Sequence, residues 1–222
     1  MKNNNHNIAE KYQNYLEYEK NRFQQLAEQN LNSWADVWEK TVDKYPEKPV
    51  VREVGSAKPW TYQELDRAAD KIANWAINLT KNQNNQNQNQ KYIGVHQSNG
   101  AVFIANVLGL AKAGITAVLC NIRESEHKLS TLAQDYGVEI NIGKPIPNLK
   151  NYDPNSILSA EWKGRISPEY RNQITIEDAV VIIFTSGTSG RSKPALFSHR
   201  RMIGAGIAWS LRTQMTSESN CY

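Results

Sequence analysis

Cysteine is scarce in this sequence, and long uncharged apolar runs are absent from it. The 222 residues include two cysteines, Cys120 and Cys221, which are too few for a disulfide-built scaffold or a four-cysteine zinc site. So little cysteine fits a protein of a reducing compartment. The most apolar segment, residues 101–119, contains a lysine and two glycines, so it predicts a helix followed by a strand rather than a membrane span.

Neither sign of charge dominates the chain. The 26 lysines and arginines against 22 acids leave a net charge of +4, and this excess lies entirely in residues 191–222. A basic segment of this size indicates either an anionic partner or an ordinary solvated surface. It is too small to indicate nucleic-acid binding. A hydrophobic share of 40% excludes a wholly disordered chain.

Residues 1–31 are predicted to form a polar, helical N-terminal arm. Apolar residues recur in it at helical spacing, namely Ile8, Tyr12, Leu16, Phe23 and Leu26. Four glutamates in the arm argue against attachment to anionic lipid, so we expect the apolar stripe to pack on the protein. The arm also lacks the apolar core of a secretory signal, which favours an intracellular protein.

From residue 32 onward, the pattern alternates between helices and strands. Ser33 and Thr61 each precede an acid by three positions, which is typical of a helix that begins with a capping box. The strands predicted after these two helices span residues 92–97, 115–120 and 138–142. Helical spacing between the strands and short connections predict an α/β fold, with a largely parallel sheet flanked by helices.

Two segments lack any regular pattern. Residues 82–90 contain only asparagine and glutamine, which predicts a low-complexity surface loop between a helix and a strand. Residues 143–178 are rich in proline and are expected to be irregular.

The segment that carries chemistry follows the apolar run at residues 179–184. That run predicts a central strand buried on both faces, and residues 185–194 after it combine glycines and hydroxyls with Lys193. Glycines let backbone N–H groups converge on an anion, hydroxyls add donors, and a lysine adds charge for terminal phosphates. The spacing differs from the common nucleotide loop. The residues alone therefore favour a phosphate loop and a flexible turn equally.

The run Phe184-Thr-Ser-Gly-Thr-Ser-Gly-Arg-Ser-Lys193 resembles the signature loop of the adenylate-forming, or AMP-binding, enzymes, such as acyl-CoA synthetases and peptide-synthetase adenylation domains. Ser192 and Pro194 depart from the usual loop, but the lysine keeps its place. Further motifs follow the family's order, namely Trp34-Ala-Asp-Val-Trp-Glu, Tyr45-Pro-Glu-Lys-Pro49, Trp60-Thr-Tyr-Gln-Glu-Leu65 and Leu108-Gly-Leu-Ala-Lys-Ala-Gly114. The resemblance covers residues 32–222 and implies an incomplete N-terminal AMP-binding domain.

A finer resemblance concerns the branch of the family. Asn121-Ile-Arg123, followed by Leu129, is similar to the fatty-acid transport protein, or very-long-chain acyl-CoA synthetase, branch. It implies a long-chain or very-long-chain fatty acid as substrate. It also implies either a cytoplasmic protein or one that is peripheral on an internal membrane.

The resemblance implies that the loop binds the β- and γ-phosphates of Mg-ATP while a fatty acid carboxylate attacks the α-phosphate. Pyrophosphate leaves, and CoA then displaces AMP to form acyl-CoA. By position, the phosphate-binding residues are Thr185, Ser186, Gly187, Thr188, Ser189, Gly190 and Lys193. No catalytic residue or metal ligand is identified in this chain, so the Mg²⁺ ligands are expected outside it. Arg191 and Arg200 are either assisting cations or solvated surface, and His199 is expected to be structural.

Three interpretations of the chain stay open. It is the truncated front of a fatty acid–CoA ligase, inactive alone and poorly soluble. Alternatively, it is a non-catalytic binding module that keeps the loop and pairs with a full-length relative, or it is a relic without function. An enzyme needs Lys193, whereas a scaffold tolerates its loss, so substitution of Lys193 separates the first two interpretations.

Overall fold

A six-stranded sheet runs through the molecule, with helices on its faces. The computed structural model describes residues 2–81, 92–185, 192–216 and 218–219. Its helices are α1 (Lys2–Glu28), α2 (Trp34–Lys44), α3 (Tyr62–Lys81), α4 (Ala101–Lys112), α5 (Glu126–Asp135), α6 (Pro154–Leu158), α7 (Pro168–Arg171) and α8 (His199–Thr213). Its strands are β1 (Pro49–Val51), β2 (Trp60–Thr61), β3 (Tyr92–His96), β4 (Thr116–Leu119), β5 (Ile140–Gly143), β6 (Lys150–Tyr152), β7 (Ala179–Thr185) and β8 (Lys193–Ser198).

The strand order is β6-β5-β3-β4-β7-β8, and neighbouring strands are parallel except for the last pair. The predicted α/β fold with a largely parallel sheet is therefore confirmed. Strand β8 runs antiparallel to β7, and the two form a hairpin. Strands β1 and β2 pair separately in a small antiparallel sheet.

The core lies between the sheet and helices α3 and α4. Its buried residues include Ile72, Ala76, Ile93, Val95, Leu110, Ala117, Ile140 and Val181. Gly109 lets α4 approach α3 closely, since a Cβ atom there would lie 2.5 Å from the Ala69 carbonyl oxygen. Near β4 and β7, a smaller cluster joins the sheet to α5 through Val118, Ala133 and Ile182.

The two predicted helix starts are confirmed in atomic detail. The Thr61 hydroxyl oxygen accepts a hydrogen bond from the Glu64 backbone N–H at 3.2 Å, and the Thr61 N–H donates to the Glu64 carboxylate at 2.9 Å. Ser33 caps α2 through the Asp36 N–H at 3.1 Å. These reciprocal bonds satisfy backbone donors that a helix leaves unpaired at its first turn.

Residues 143–178 are more regular than the sequence predicts, because they contain β6, α6 and α7. Pro154 and Pro168 occupy the first helical turns, after Asp153 and Ser167 at the cap positions. Proline there loses no helical hydrogen bond. The prediction of an irregular segment was wrong because it treated each proline only as a helix breaker.

The run at residues 179–184 is buried on both faces in its middle and becomes exposed toward its carboxyl end. Residues 180–182 are buried, but the side chain of Ile183 is 40% exposed. Alternate residues of a strand point to opposite faces, so Val181 in the main core and Ile182 in the cluster beside α5 show that both faces are covered at this point. The predicted loop at residues 82–90 lies outside the described residues, and the boundary at residues 31 and 32 stays a prediction. Within the described part of the chain, no helix combines the length and apolar character that a membrane crossing requires.

Candidate phosphate-binding site

The candidate site lies where the hairpin of β7 and β8 opens. Thr185 and Lys193 face each other as the last paired residues of this hairpin, and the Thr185 hydroxyl donates a hydrogen bond to the Lys193 carbonyl oxygen at 3.2 Å. The structure therefore brings together the first and last of the predicted phosphate-binding residues. The five between them, Ser186, Gly187, Thr188, Ser189 and Gly190, lie outside the described residues.

A cavity of about 650 Å³ lies beside this end of the hairpin, at the carboxyl ends of β3, β4 and β7. Its walls include Gln97, Asn121, Arg123, Ile183 and Thr185. Parallel sheets bind ligands at the carboxyl ends of their strands, where loops with free polar groups converge. The sheet thus places the hydroxyl and the lysine of the hairpin at the position where a ligand is expected.

The charges at this end suit an anion. Lys193 is exposed and has no ion-pair partner among the residues that the structure describes. Glu124 is the one carboxylate among the described residues of the cavity wall, and it is already paired with Lys128 at 2.8 Å. A phosphate would therefore meet an uncompensated ammonium group without facing an unpaired carboxylate.

Cys120 also lines the cavity, but its chemistry is that of a protonated thiol. Burial raises the pKa of Cys120 to about 11, although a hydrogen bond with the Val95 backbone opposes the shift. Because the thiolate is the nucleophilic form, this thiol is inert near neutral pH.

Arg200 does not assist the phosphate site directly. It follows the far end of β8, about 17 Å along the strand from Lys193 at the usual rise per residue. Its Nε atom donates to the Glu177 carboxylate at 2.6 Å, and its side chain is half exposed. Of the two predicted alternatives for Arg200, assisting cation and solvated surface, this exposed, ion-paired position fits the second. Arg191 lies outside the described residues.

His199 is buried at the start of α8 and serves a structural contact. Its Nδ1 atom accepts a hydrogen bond from the Trp34 backbone N–H at 3.1 Å. Burial lowers the pKa of His199 to about 4, although Asp178 and Asp36 oppose the shift. The ring is therefore neutral near pH 7 and links the start of α8 to the start of α2.

A second charged site was missed by sequence reasoning. The ammonium group of Lys112 is fully buried and contacts three carboxylates, those of Asp66 and Asp70 at 2.6 Å and that of Glu39 at 2.9 Å. Burial lowers the pKa of Lys112, but the three carboxylates outweigh burial, so this pKa is raised. The three acids are grouped closely enough for a metal ion, and the lysine supplies the cation instead.

Two arginines extend this buried charge cluster. Arg171 contacts Asp36 and also pairs with Glu39 at 2.7 Å, and Arg165 pairs with Asp66 at 3.1 Å. The spacing of Asp66 and Asp70, four residues apart beside the apolar stripe of α3, is the sequence signal that could have indicated a buried cation. The cluster joins helices α2, α3 and α4 to residues 165–171.

The fold defines an α/β protein with a cavity at the carboxyl ends of its parallel strands. The model of the AMP-binding enzyme family matches residues 38–221, and the chain belongs to this family. Among relatives, nonribosomal peptide synthetase verP of Clonostachys rogersoniana is 27% identical over 75% of this chain and 8% of its own length. Surfactin synthase subunit 2 of Bacillus subtilis is 24% identical over 75% of this chain and 5% of its own length.

Solved structures show the same fold. The N-terminal subdomain of Klebsiella oxytoca NpsA, in complex with 3-hydroxyanthranilyl-AMSN, matches with a TM-score of 0.60 and 17% identity, over 76% of this chain and 41% of that one. VinN matches with a TM-score of 0.68 and 17% identity, over 85% of this chain and 49% of that one. The chain thus spans less than half of either structure. The relatives similar in sequence include nonribosomal peptide synthetases and do not support the predicted fatty-acid transport branch.

Proposed function

We propose that this chain provides the phosphate-binding part of an enzyme that activates a carboxylate with Mg-ATP, forming an acyl-adenylate and pyrophosphate. The observation that carries the proposal is the pairing of Thr185 with Lys193 at the open end of the hairpin, where Thr185 lines the cavity. Membership of the AMP-binding enzyme family supports it.

In this proposal, Thr185 and Lys193 contribute to the reaction by electrostatic stabilisation. When a carboxylate attacks the α-phosphate, negative charge accumulates on the departing pyrophosphate. A lysine and a hydroxyl that face the pyrophosphate stabilise that charge. Ser186, Gly187, Thr188, Ser189 and Gly190 are predicted to add N–H and hydroxyl donors. The described cavity wall has no unpaired carboxylate for Mg²⁺, so we place the magnesium ligands outside it.

For the acid, we propose an amino acid or an aryl acid. The relatives support this choice by their names, since verP is a peptide synthetase, VinN is solved with 3-methylaspartate and NpsA with an anthranilyl compound. A fatty acid, with CoA as the acceptor, is the second candidate. The observation in its favour is that Asn121, Ile122 and Arg123, the residues of the branch resemblance, line the cavity.

The first experiment measures Mg-ATP binding by calorimetry on the 222-residue chain. Lys193→Ala is expected to raise the dissociation constant by about tenfold or more, the usual effect of losing a charged contact to phosphate. Lys128→Ala is the matched control, because Lys128 lines the same cavity but is paired with Glu124. Equal affinity in the wild type and both variants would contradict the proposal.

The second experiment identifies the acid. The native protein is captured with an antibody to residues 1–31 and assayed for ATP–pyrophosphate exchange with amino acids, aryl acids and long-chain fatty acids. Exchange with amino or aryl acids supports the first candidate, and exchange with fatty acids alone overturns it in favour of the second. Mg-ATP binding without exchange for any acid would overturn adenylation and favour the non-catalytic binding module.

A further inference from the structure

Helix α1 precedes residues 38–221, the part of the chain that matches the family model, yet it packs on the helix that follows the β7–β8 hairpin. Its partner is α8, which follows β8 without a break. Glu19 of α1 lies against Gly204 of α8, where a Cβ atom would come within 2.8 Å of the Glu19 carboxylate. The ring of Phe23 lies under the guanidinium group of Arg200, 4.9 Å from the ring centre.

Arg200 joins three parts of the molecule. Its guanidinium group covers Phe23 of α1 and donates to the Glu177 carboxylate at 2.6 Å, in the turn before β7. Its backbone N–H donates to the Ile176 carbonyl oxygen at 2.8 Å. One residue therefore contacts the N-terminal helix, the start of α8 and the segment that leads into the hairpin.

The base of the hairpin is tied at the same place. The His199 backbone N–H donates to the Asp178 carbonyl oxygen at 3.1 Å, and the Trp34 backbone N–H donates to the His199 ring. Within the described part of the chain, strand β8 is the edge of the sheet and pairs only with β7. The orientation of β8 therefore depends on its pairing with β7 and on these contacts at its base.

We propose that Arg200 is a positioning residue, which braces α1 against the base of the β7–β8 hairpin and thereby fixes the position of Lys193. The inference rests on the proposed function, since it assigns Lys193 to phosphate. Strand β8 is about 17 Å long, so a rotation of the strand by about 5° about Ser198 would displace Lys193 sideways by about 1.5 Å. Displacements of this size at a binding residue cost activity even when the residue itself is intact.

The neighbouring arginine provides a matched control. Arg201 is exposed, and its guanidinium group lies 5.5 Å from the ring centre of Phe197 in β8. It therefore carries the same charge and the same kind of ring contact on the same helix, and its ring partner belongs to the hairpin instead of α1. Arg200→Gln and Arg201→Gln remove equal charge, so any difference between them reports the link to α1 and Glu177.

Two measurements on the 222-residue chain test the brace. Amide hydrogen exchange across residues 193–198 is expected to rise by about threefold to tenfold in Arg200→Gln and in Phe23→Leu, and to stay unchanged in Arg201→Gln. The dissociation constant for Mg-ATP is expected to rise by a similar factor of about three to ten in the first two variants only. The double variant Phe23→Leu with Arg200→Gln is expected to show no more hydrogen exchange and no weaker Mg-ATP binding than either single variant. Both substitutions break the same contact between Phe23 and Arg200.

The outcomes separate this inference from the proposed function. If Lys193→Ala binds Mg-ATP as tightly as the wild type, the proposed function is wrong. The inference is then also wrong in assigning Arg200 to the positioning of a phosphate-binding lysine. If Lys193 is required for Mg-ATP binding but Arg200→Gln matches Arg201→Gln in both measurements, only the positioning role of Arg200 is overturned. Should Arg200→Gln not fold, Glu177→Gln breaks the same ion pair from its exposed partner, and unchanged exchange across residues 193–198 in that variant would equally overturn the brace.

Discussion

Lys112 and Lys193 carry the same charge in very different surroundings. Lys112, in the packed region of α2, α3 and α4, is fully buried and neutralised by three carboxylates. Lys193, on the open β7–β8 hairpin, is exposed and has no ion-pair partner within the described part of the chain. A buried charge must be compensated by the protein itself, whereas an exposed cation remains available to a ligand. The packed region therefore compensates its own charge, whereas the hairpin leaves a cation exposed.

The largest expected effect comes from removing the charge of Lys112. Lys112→Met keeps most of the side-chain volume but leaves three carboxylates buried together, so we expect a loss of about 3–5 kcal/mol in the free energy of unfolding. Urea denaturation measures this loss. The control is Lys128→Met, which removes a surface ion pair and is expected to cost less than about 1 kcal/mol. If Lys112→Met is as stable as Lys128→Met, the charge cluster does not stabilise the packing of α2, α3 and α4.

The next effect depends on pH and concerns His199, between the two regions. Its pKa is about 4 when folded and near 6.5 when unfolded. Between these values the unfolded chain binds more protons, so stability is complete above pH 6.5 and is lost as the pH falls toward 4. The loss is on the order of 3 kcal/mol.

Urea midpoints measured from pH 7 to pH 4 test this expectation. His199→Gln is expected to flatten the dependence over that range, whereas His127→Gln, at an exposed position of α5, is expected to keep it. An unchanged slope in His199→Gln would assign the acid sensitivity to other groups.

Substitution of two helical glycines by alanine is expected to change the free energy of unfolding in opposite directions. Gly109→Ala places a methyl group 2.5 Å from the Ala69 carbonyl oxygen, so α4 must move away from α3, at a cost of about 1–3 kcal/mol. At Gly206 of α8 there is no described atom within 4 Å of the new methyl group, and alanine is expected to stabilise the helix by about 0.5–1 kcal/mol. Thermal unfolding measures both changes, and a shared sign would contradict the contrast between the packed and the open region.

The smallest change in stability is expected from a substitution on the β7–β8 hairpin itself. The side chain of Leu196 in β8 is 55% exposed, so Leu196→Thr is expected to change stability by less than about 0.5 kcal/mol. The same substitution is expected to raise solubility, because it removes an exposed apolar side chain from the edge strand of the described sheet. Light scattering at increasing protein concentration measures the second effect. A large loss of stability instead would mean that Leu196 is packed in solution.

Much of the local structure could be predicted from the sequence, since it depends on residues close together in the chain. The Thr61 and Glu64 pair marked the start of α3 because a capping box needs only four residues. The buried strand before Thr185 was predicted in the same way, from a short apolar run. The predicted irregularity of residues 143–178 failed where Pro154 marked a helix start instead of a break.

The site was predicted in part and for a different reason. The family resemblance of residues 184–193 identified the loop, and the structure then placed Thr185 opposite Lys193. The partners of Arg200 were not predictable, because Phe23 lies far from it in the chain and the contact is made by packing α1 on α8. The same holds for Lys112, whose partners come from α2 and α3.

By itself, the sequence determined the α/β class, the main helices and strands, and the family of the loop, because each depends on local spacing or on a contiguous motif. Only the tertiary structure decided which charges are compensated and which are left free. Lysines look alike in a sequence, and the burial and the neighbours of each one arise from contacts between segments that are distant in the chain. That is why Lys112 became an internal counterion while Lys193 remained available to an anion.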